Sequence, residues 1–417
     1  MAATRMLLAL LLLILACDNA TEPDPFQVRA IPEELRDAAD EVVAANNEFA
    51  CDLYRAVSSE PGNLFMSPYS IATALSMTYA GAAGATAQEM AQVLHIPGSA
   101  SQWHEASGAL LESLNRGVSL GGYELSIANR LWGQTGWVFL DAFLSTLRDL
   151  YQAPLEQADF IADPEAARQI INQWVEDQTH DRIQELIPPD GLSDMTRLVL
   201  ANAIYFKGTW LAQFDPDLTR EGPFWLSPGV SVQAQFMSMK STTQRFAHAY
   251  APPSEVRLLE LPYEGEDVSM VVLLPEDADG MAELEAALTV DQIDHWYGLI
   301  RECDVTEVLL PRWTVTSSFD LEPTLSDLGM PTAFIPAMAD FSGMDDSQDL
   351  FIDHIRHKAF VQVNEEGTEA AAATEVDMGY TGLPPFFKAD HPFLFYIRDN
   401  VTGSILFLGR VSDPTAE

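Results

Sequence analysis

Residues Glu365–Gly382, EEGTEAAAATEVDMGYTG, carry the periodicity of a β-strand in the setting of an exposed loop. Ala and Glu are strong helix formers, so propensity alone reads helix. The alternation reads otherwise. Thr368, Ala370, Ala372, Thr374, Val376 and Met378 are small or apolar, while Glu369, Glu375 and Asp377 fall between them, with Ala371, Ala373 and Gly379. A period of two is that of a half-buried strand. Yet Thr381, Gly382, Pro384 and Pro385 follow at once, and proline offers no donor to a ladder. A fold for this chain has to accommodate a strand pattern whose flanks keep it out of a sheet.

The rest of the chain sorts into helix patterns first and strand patterns later. From Pro32, Leu35, Ala39, Val42, Phe49 and Leu53 form one helical stripe. NLFMSPYSIATALSMTYAGAAGATAQEM reads as a short apolar run, a turn at Ser67-Pro68, and a helix rich in small residues that ends near Gly81 and Gly84. Asp163 to Ile187 reads as helix around Ile170, Ile171, Trp174 and Val175. Strand-like runs follow: RLVLANAIYFKGTW, EVRLLELPY, SMVVLLP, EVLLPRWTVT, LFIDHIRHKAFVQV and SILFLGRV. This segregation argues for α+β rather than repeating βαβ units. Gly117-Val118-Ser119-Leu120-Gly121 fits G-x-S-x-G, but a nucleophile elbow needs a strand before the serine and a helix after it. Here EASGALLESLNR before it reads as helix and YELSIANRLW after it as strand, so the motif reads as a turn.

Composition narrows the partners. The 62 acidic against 22 basic residues give a net charge of −40, spread along the chain, and a surface of that sign repels nucleic acid and anionic lipid. It suits a salty medium that screens carboxylate repulsion. At the N-terminus Arg5 precedes the apolar run Met6–Ala16, too short to span a bilayer, and then Cys17. That is an export signal, with residues 1–16 as signal peptide. Ile14-Leu15-Ala16-Cys17 resembles the lipobox of bacterial lipoproteins, apart from Leu15 where a smaller residue is usual, and implies lipidation of Cys17. Asp18 to Arg29, with Pro23 and Pro25, has the make-up of a tether, so residues 17–36 read as lipidated Cys and tether. The expected location is extracellular or periplasmic, anchored to the cell envelope. Cys51 and Cys303 read as small buried hydrophobes rather than a bridge. No C-x-x-C or H-E-x-x-H occurs, and no metal or cofactor is implied.

NLFMSPYSIATALSM, LVLANAIYFKGTW, MSMK, LELPY, LLPRW, FIDHIRHKAFVQVNEEGTEAAAAT and ADHPFLFYIRDNVTGSILFLGRV, in that order, resemble the serpins from about residue 37 to the C-terminus. The resemblance implies one domain, 37–417: three β-sheets, eight or nine helices, and a reactive-centre loop, 365–391, above a five-stranded central sheet. With the lipobox it implies a prokaryotic member of inhibitory type, monomeric, whose partner is a target serine protease. In inhibitory serpins the cut loop inserts into that sheet as a new strand, so the alternation at the start of this section would belong to a strand not yet formed. The even residues would face the core, and Glu369, Glu375 and Asp377 would face water. About a dozen ladder bonds at roughly 1 kcal/mol each give on the order of 10 kcal/mol, comparable to a domain's whole stability.

Such a chain is no enzyme. It traps the protease as an acyl-enzyme. Carried over residue by residue, the resemblance puts the reactive bond at Thr381-Gly382, or alternatively Tyr380-Thr381. Neither follows Lys or Arg, which favours elastase-, chymotrypsin- or subtilisin-like targets. The hinge is Glu365, Glu366, Gly367, Thr368, Glu369, Ala370, Ala371, Ala372 and Ala373. The polar shutter beneath the sheet is Ser67, Ser70, Asn202 and His357. Insertion starts at the breach, Trp210 and Glu365, where the family often pairs the glutamate with a lysine; here an arginine or no partner must serve. The alternatives are a non-inhibitory serpin-fold binding protein and a cross-class inhibitor of papain-like cysteine proteases.

Overall fold

The computed structural model describes residues 29–120, 123–251, 254–347, 349–368 and 386–416. Its helices are α1 (Arg36–Val57), α2 (Pro68–Tyr79), α3 (Gly84–Val93), α4 (Ala100–Leu120), α5 (Asp141–Asp149), α6 (Pro164–Gln178), α7 (Met281–Ala286), α8 (Val290–Tyr297), α9 (Glu322–Leu328) and α10 (Ser342–Asp345). Its strands are β1 (Leu64–Met66), β2 (Tyr123–Gln134), β3 (Glu156–Ala158), β4 (Leu198–Thr209), β5 (Asp215–Ser227), β6 (Val230–Ala251), β7 (Ser254–Pro262), β8 (Val268–Pro275), β9 (Arg301–Pro311), β10 (Trp313–Asp320), β11 (Ile355–Val363), β12 (Gly367–Thr368), β13 (Phe386–Lys388), β14 (Phe393–Asp399) and β15 (Ile405–Val411).

The α+β class holds, with ten α-helices among the described residues where eight or nine were expected. The strands pair into two networks rather than three. One sheet runs β10-β11-β4-β2-β3, and the short β12 adds to β4. The other runs β1-β15-β14-β8-β7-β6-β9-β13, with β5 on β6. Two of the expected sheets fuse because β6 is long: it pairs with β9 over Phe236–Phe246 and with β7 over Arg245–Ala251. Neither β5 nor β6 was anticipated from sequence. β5 pairs only with β6 and is largely exposed, so it lacks the apolar alternation that marks a half-buried strand.

Between the sheets lies the main core. Helix α2 is buried along nearly its whole length, as expected of a helix made of small and apolar residues on every side. Its start follows from Ser67, whose hydroxyl accepts from the Ser70 amide, and from Pro68 in the first turn. On the outer face of the β10-β11-β4-β2-β3 sheet α6 covers Val199, Ala201 and Ala203. That helix ends at Gln178, short of the Ile187 expected, because His180 and Asp181 turn left-handed. Ile183, Leu186 and Ile187 are still buried against the same face, so the apolar pattern outlasts the helix. Ile170, expected in the stripe, is 52% exposed.

Cys51 is buried and free, its thiol pushed up to about 12 by burial; Cys303 is free too, but only half-buried on β9. Ser119 lies in the last turn of α4, where its hydroxyl donates to the Arg116 carbonyl, with β2 next in the chain. The folded body reaches back to Arg29, which is fully buried, earlier than the boundary expected at residue 37.

Candidate functional site

Strands β4 and β11 run parallel and pair from Leu200↔Ile355 to Tyr205↔Phe360. Beyond that they part, and the chain leaving β11 doubles back between them. An isolated bridge joins Asn364 to Gly367, and Gly367 and Thr368 then pair antiparallel with Thr209 and Gly208 of β4. Gly367 sits at φ +134°, and a Cβ there would lie 2.2 Å from the Gly208 carbonyl oxygen, so no other residue makes this reversal without moving β4.

The reversal is held at its root. Trp210 donates its amide to the Glu366 carbonyl (3.0 Å) and its indole N–H to the Asn364 carbonyl (3.1 Å); the Phe214 amide donates to the Glu365 carbonyl (3.0 Å). The Trp210 ring stacks on Tyr263 at 4.6 Å. Arg312, between β9 and β10, donates from Nε to both Glu365 carboxylate oxygens at 2.8 and 2.9 Å, and Thr219 of β5 donates its hydroxyl to the same group. Burial alone would raise the Glu365 pKa, but the hydrogen bonds from Arg312 and Thr219 outweigh it and hold the carboxyl below its usual value. An arginine thus stands where a lysine is the usual partner. A cleft of about 630 Å³ opens beside this pair, lined by Arg312, Gln362, Asn364 and Glu365.

Lower on the same two strands, where they are still paired, His357 of β11 lies beside Asn202 of β4. The His357 Nε2 accepts from the Ser67 amide at 3.1 Å, so its proton is on Nδ1, which donates to the Asn202 side-chain oxygen. Asn202 in turn donates to the Ser70 hydroxyl (2.8 Å) and to Asn129 (2.5 Å), while the Ser67 hydroxyl donates to the Leu406 carbonyl (2.7 Å). Burial drives the His357 pKa down to about 3, so the ring is neutral. With Nε2 committed to a backbone amide and the Ser67 hydroxyl to a carbonyl, no nucleophile and base face each other here.

The structure brings Ser67, Ser70, Asn202 and His357 together, and places Trp210 beside the Asn364–Glu366 segment that carries Glu365. Of the hinge, Glu365, Glu366, Gly367 and Thr368 are described; Glu369, Ala370, Ala371, Ala372 and Ala373 lie outside the described residues, as do Tyr380, Thr381, Gly382 and Cys17. Sequence reading missed Asn129, which sits directly across from Asn202, and Arg312, Thr219 and Tyr263. Arg312 left a trace as the lone cation in EVLLPRWTVT, and Asn129 as an amide inside an apolar strand. Asp320, Glu322 and His354 bring ligand atoms within 4.8 Å of one another, but Arg356 lies 3.1 Å from Asp320 and already supplies the cation.

The family model described as "Serpin (serine protease inhibitor)" matches residues 44–414. The chain is a serpin. Among curated relatives, the leukocyte elastase inhibitor of Homo sapiens is 42% identical over 386 residues, covering 90% of this chain and all of that one. Among solved structures, uncleaved ovalbumin aligns with TM-score 0.80 at 29% identity, over 90% of this chain and 100% of its own. Human thyroxine-binding globulin aligns with TM-score 0.81 at 30% identity, over 91% and 100%. These likenesses fix this serpin's fold and make it a protease-inhibitor relative rather than an enzyme. The curated relatives named here are mammalian and lend nothing to a prokaryotic source.

Proposed function

We propose that this serpin is an irreversible suicide-substrate inhibitor of serine endopeptidases with elastase-, chymotrypsin- or subtilisin-like pockets. The observation that carries the reading is β12: the hinge already makes the first two antiparallel pairs on β4, at the head of the gap between β4 and β11. Continued in that register, a cut loop would set Ala370 opposite Phe206, Ala372 opposite Ile204, and Thr374 opposite Asn202. Those β4 residues face the core between the sheets. Small side chains fit there, and Thr374 brings a hydroxyl to the row where Asn202 and His357 must part.

The outer face supports the reading with one adjustment. Glu369 would meet Lys207 of β4, but Glu375 and Asp377 would fall opposite Ala201 and Val199, beneath α6 rather than in open water. Arg356 of β11 pairs with Ala201 and would flank Glu375. The reactive bond is Thr381-Gly382, with Tyr380-Thr381 the alternative. Export, a lipid on Cys17, a bacterial source and a monomeric state rest on the sequence alone.

The test is a protease panel on denaturing gels, with the covalent product sequenced across the cut. A detergent-stable complex with an elastase-like enzyme and a gain of tens of degrees in melting temperature on loop cleavage are expected. Cleavage without complex or thermal gain would point to the non-inhibitory binding protein. A complex only with papain-like enzymes would point to the cross-class inhibitor.

A further inference from the structure

We propose that Arg356 of β11, with Arg130 of β2 behind it, is a seat built in advance for the carboxylate of Glu375, and that filling it holds the inserted strand in place. The seat rests on the insertion reading above. On the outer face of the sheet, Ala201 of β4 has Arg130 on one side and Arg356 on the other. Arg356 gives Nη1 to Asp320 of β10 at 3.1 Å, on the side away from β4, while its Nε is buried with no hydrogen-bond partner among the described residues. Arg130 reaches Glu156 at 3.9 Å, longer than a hydrogen bond, and its Nε is buried and unpartnered too. A guanidinium N–H shut away from water without an acceptor is unfavourable, so two of them around one alanine favour an incoming carboxylate.

Glu375 and Asp377 lie outside the described residues, and their landing rows follow from sequence position alone. Continuing the pairs Gly367↔Thr209 and Thr368↔Gly208 down β4 sets Glu375 opposite Ala201. Strands that part sideways by one spacing, about 4.8 Å, keep Arg356 level with Ala201. Glu375 would then lie directly beside Arg356, with Arg130 across Ala201 and no larger side chain between. The row would read Arg130, Ala201, Glu375, Arg356, Asp320, each carboxylate next to a guanidinium. By the same register Asp377 would land beside His354, whose Nδ1 is likewise without a hydrogen-bond partner.

The surroundings make the pairing matter. Ala201 is fully buried beneath α6, and the Trp174 ring of that helix lies 4.5 Å from the Arg130 guanidinium. A carboxylate carried under such a roof without a counter-charge opposes insertion, whereas one met by an unpartnered guanidinium N–H favours it. The pair exists only once Glu375 has arrived. Arg356 would therefore stabilise the inserted form selectively, while its bond to Asp320 serves both forms.

The experiment compares the full chain with its Glu375→Gln, Arg356→Gln and double variants, before and after the loop is cut. After cleavage, Glu375→Gln should unfold about tenfold faster than wild type in a fixed concentration of guanidinium; before cleavage the two rates should be equal. Arg356→Gln should speed unfolding of both forms, and of the cleaved form more. In the cleaved form the double variant should be no worse than Arg356→Gln alone. Effects that add there, or a cleaved Glu375→Gln that unfolds no faster than wild type, overturn the seat while leaving insertion standing. If wild type itself gains no stability on cleavage, the insertion reading fails and takes the seat with it. Should Arg356→Gln not fold, Glu375→Lys serves instead: set against two guanidiniums, it should turn the inhibitor into a substrate, and a detergent-stable complex formed at wild-type stoichiometry overturns the proposal.

Discussion

Reversing the charge at residue 369 should cripple inhibition, and reversing its counterpart should restore it. Lys207 is half-buried on the outer face of β4, paired across the sheet with Glu124 of β2. A strand continuing the Thr368↔Gly208 register sets residue 369 opposite Lys207. An opposite-charge cross-strand pair contributes about 0.2–1 kcal/mol and a like-charge pair costs about as much. Glu369→Lys therefore swings the inserted strand by about 1 kcal/mol, a factor of about five. Trapping is a race between insertion and deacylation, so about five times more inhibitor should be consumed per enzyme molecule inactivated, read from gels titrated with an elastase. Lys207→Glu alone should act in the same direction, and the double variant should approach wild type, giving a coupling of about 1 kcal/mol. Molar salt should shrink that coupling. Single effects that merely add, with the double variant the worst of all, would show that residue 369 never meets Lys207 and that the register is wrong.

Thr368→Arg should abolish the detergent-stable complex while leaving the loop cleavable, because its row holds Gly208, where even a Cβ would lie 2.5 Å from the Tyr263 ring, and an unpaired guanidinium there costs several kcal/mol; a surviving complex with elastase refutes this. Stability should fall below neutral pH. Burial holds His357 at about 3 and His104 at about 4, against 6.5 when unfolded, so the unfolded chain takes up protons first. Each contribution is complete above pH 6.5, is lost as pH falls toward the folded value, and amounts to about 2 kcal/mol by pH 5. Unfolding midpoints equal at pH 5 and 7 would contradict it, and His357→Gln should flatten the profile. With a net charge of −40, the melting temperature should rise between dilute buffer and molar salt; a flat response removes the argument for a saline habitat.

Much of the site was legible because its residues carry unusual local constraints. Ser67 before Pro68 announces a helix start in any fold, whereas the reversal at Gly367 shows only in the structure. The small even positions of the loop announce a strand whatever sheet receives it. Asn129 was not legible, since an amide in SIANRLW earns its role only when β2 pairs with β4 and sets it opposite Asn202. Arg312 likewise became the partner of Glu365 only through the junction of β9 and β10, far from the loop in sequence.

The sequence alone determined what each segment can become: stripes for helices, a period of two for the loop, polar residues at defined places in apolar blocks. Those are properties of neighbouring residues, and local sterics and burial fix them. Only tertiary structure decided which strands part to make the gap, which cation neutralises Glu365, and that Arg29 is buried against Asp267, Asp399 and helix α4 rather than free in a tether. Pairing across hundreds of residues leaves no periodic mark, and a buried charge reads the same as a solvated one until its partners are in place.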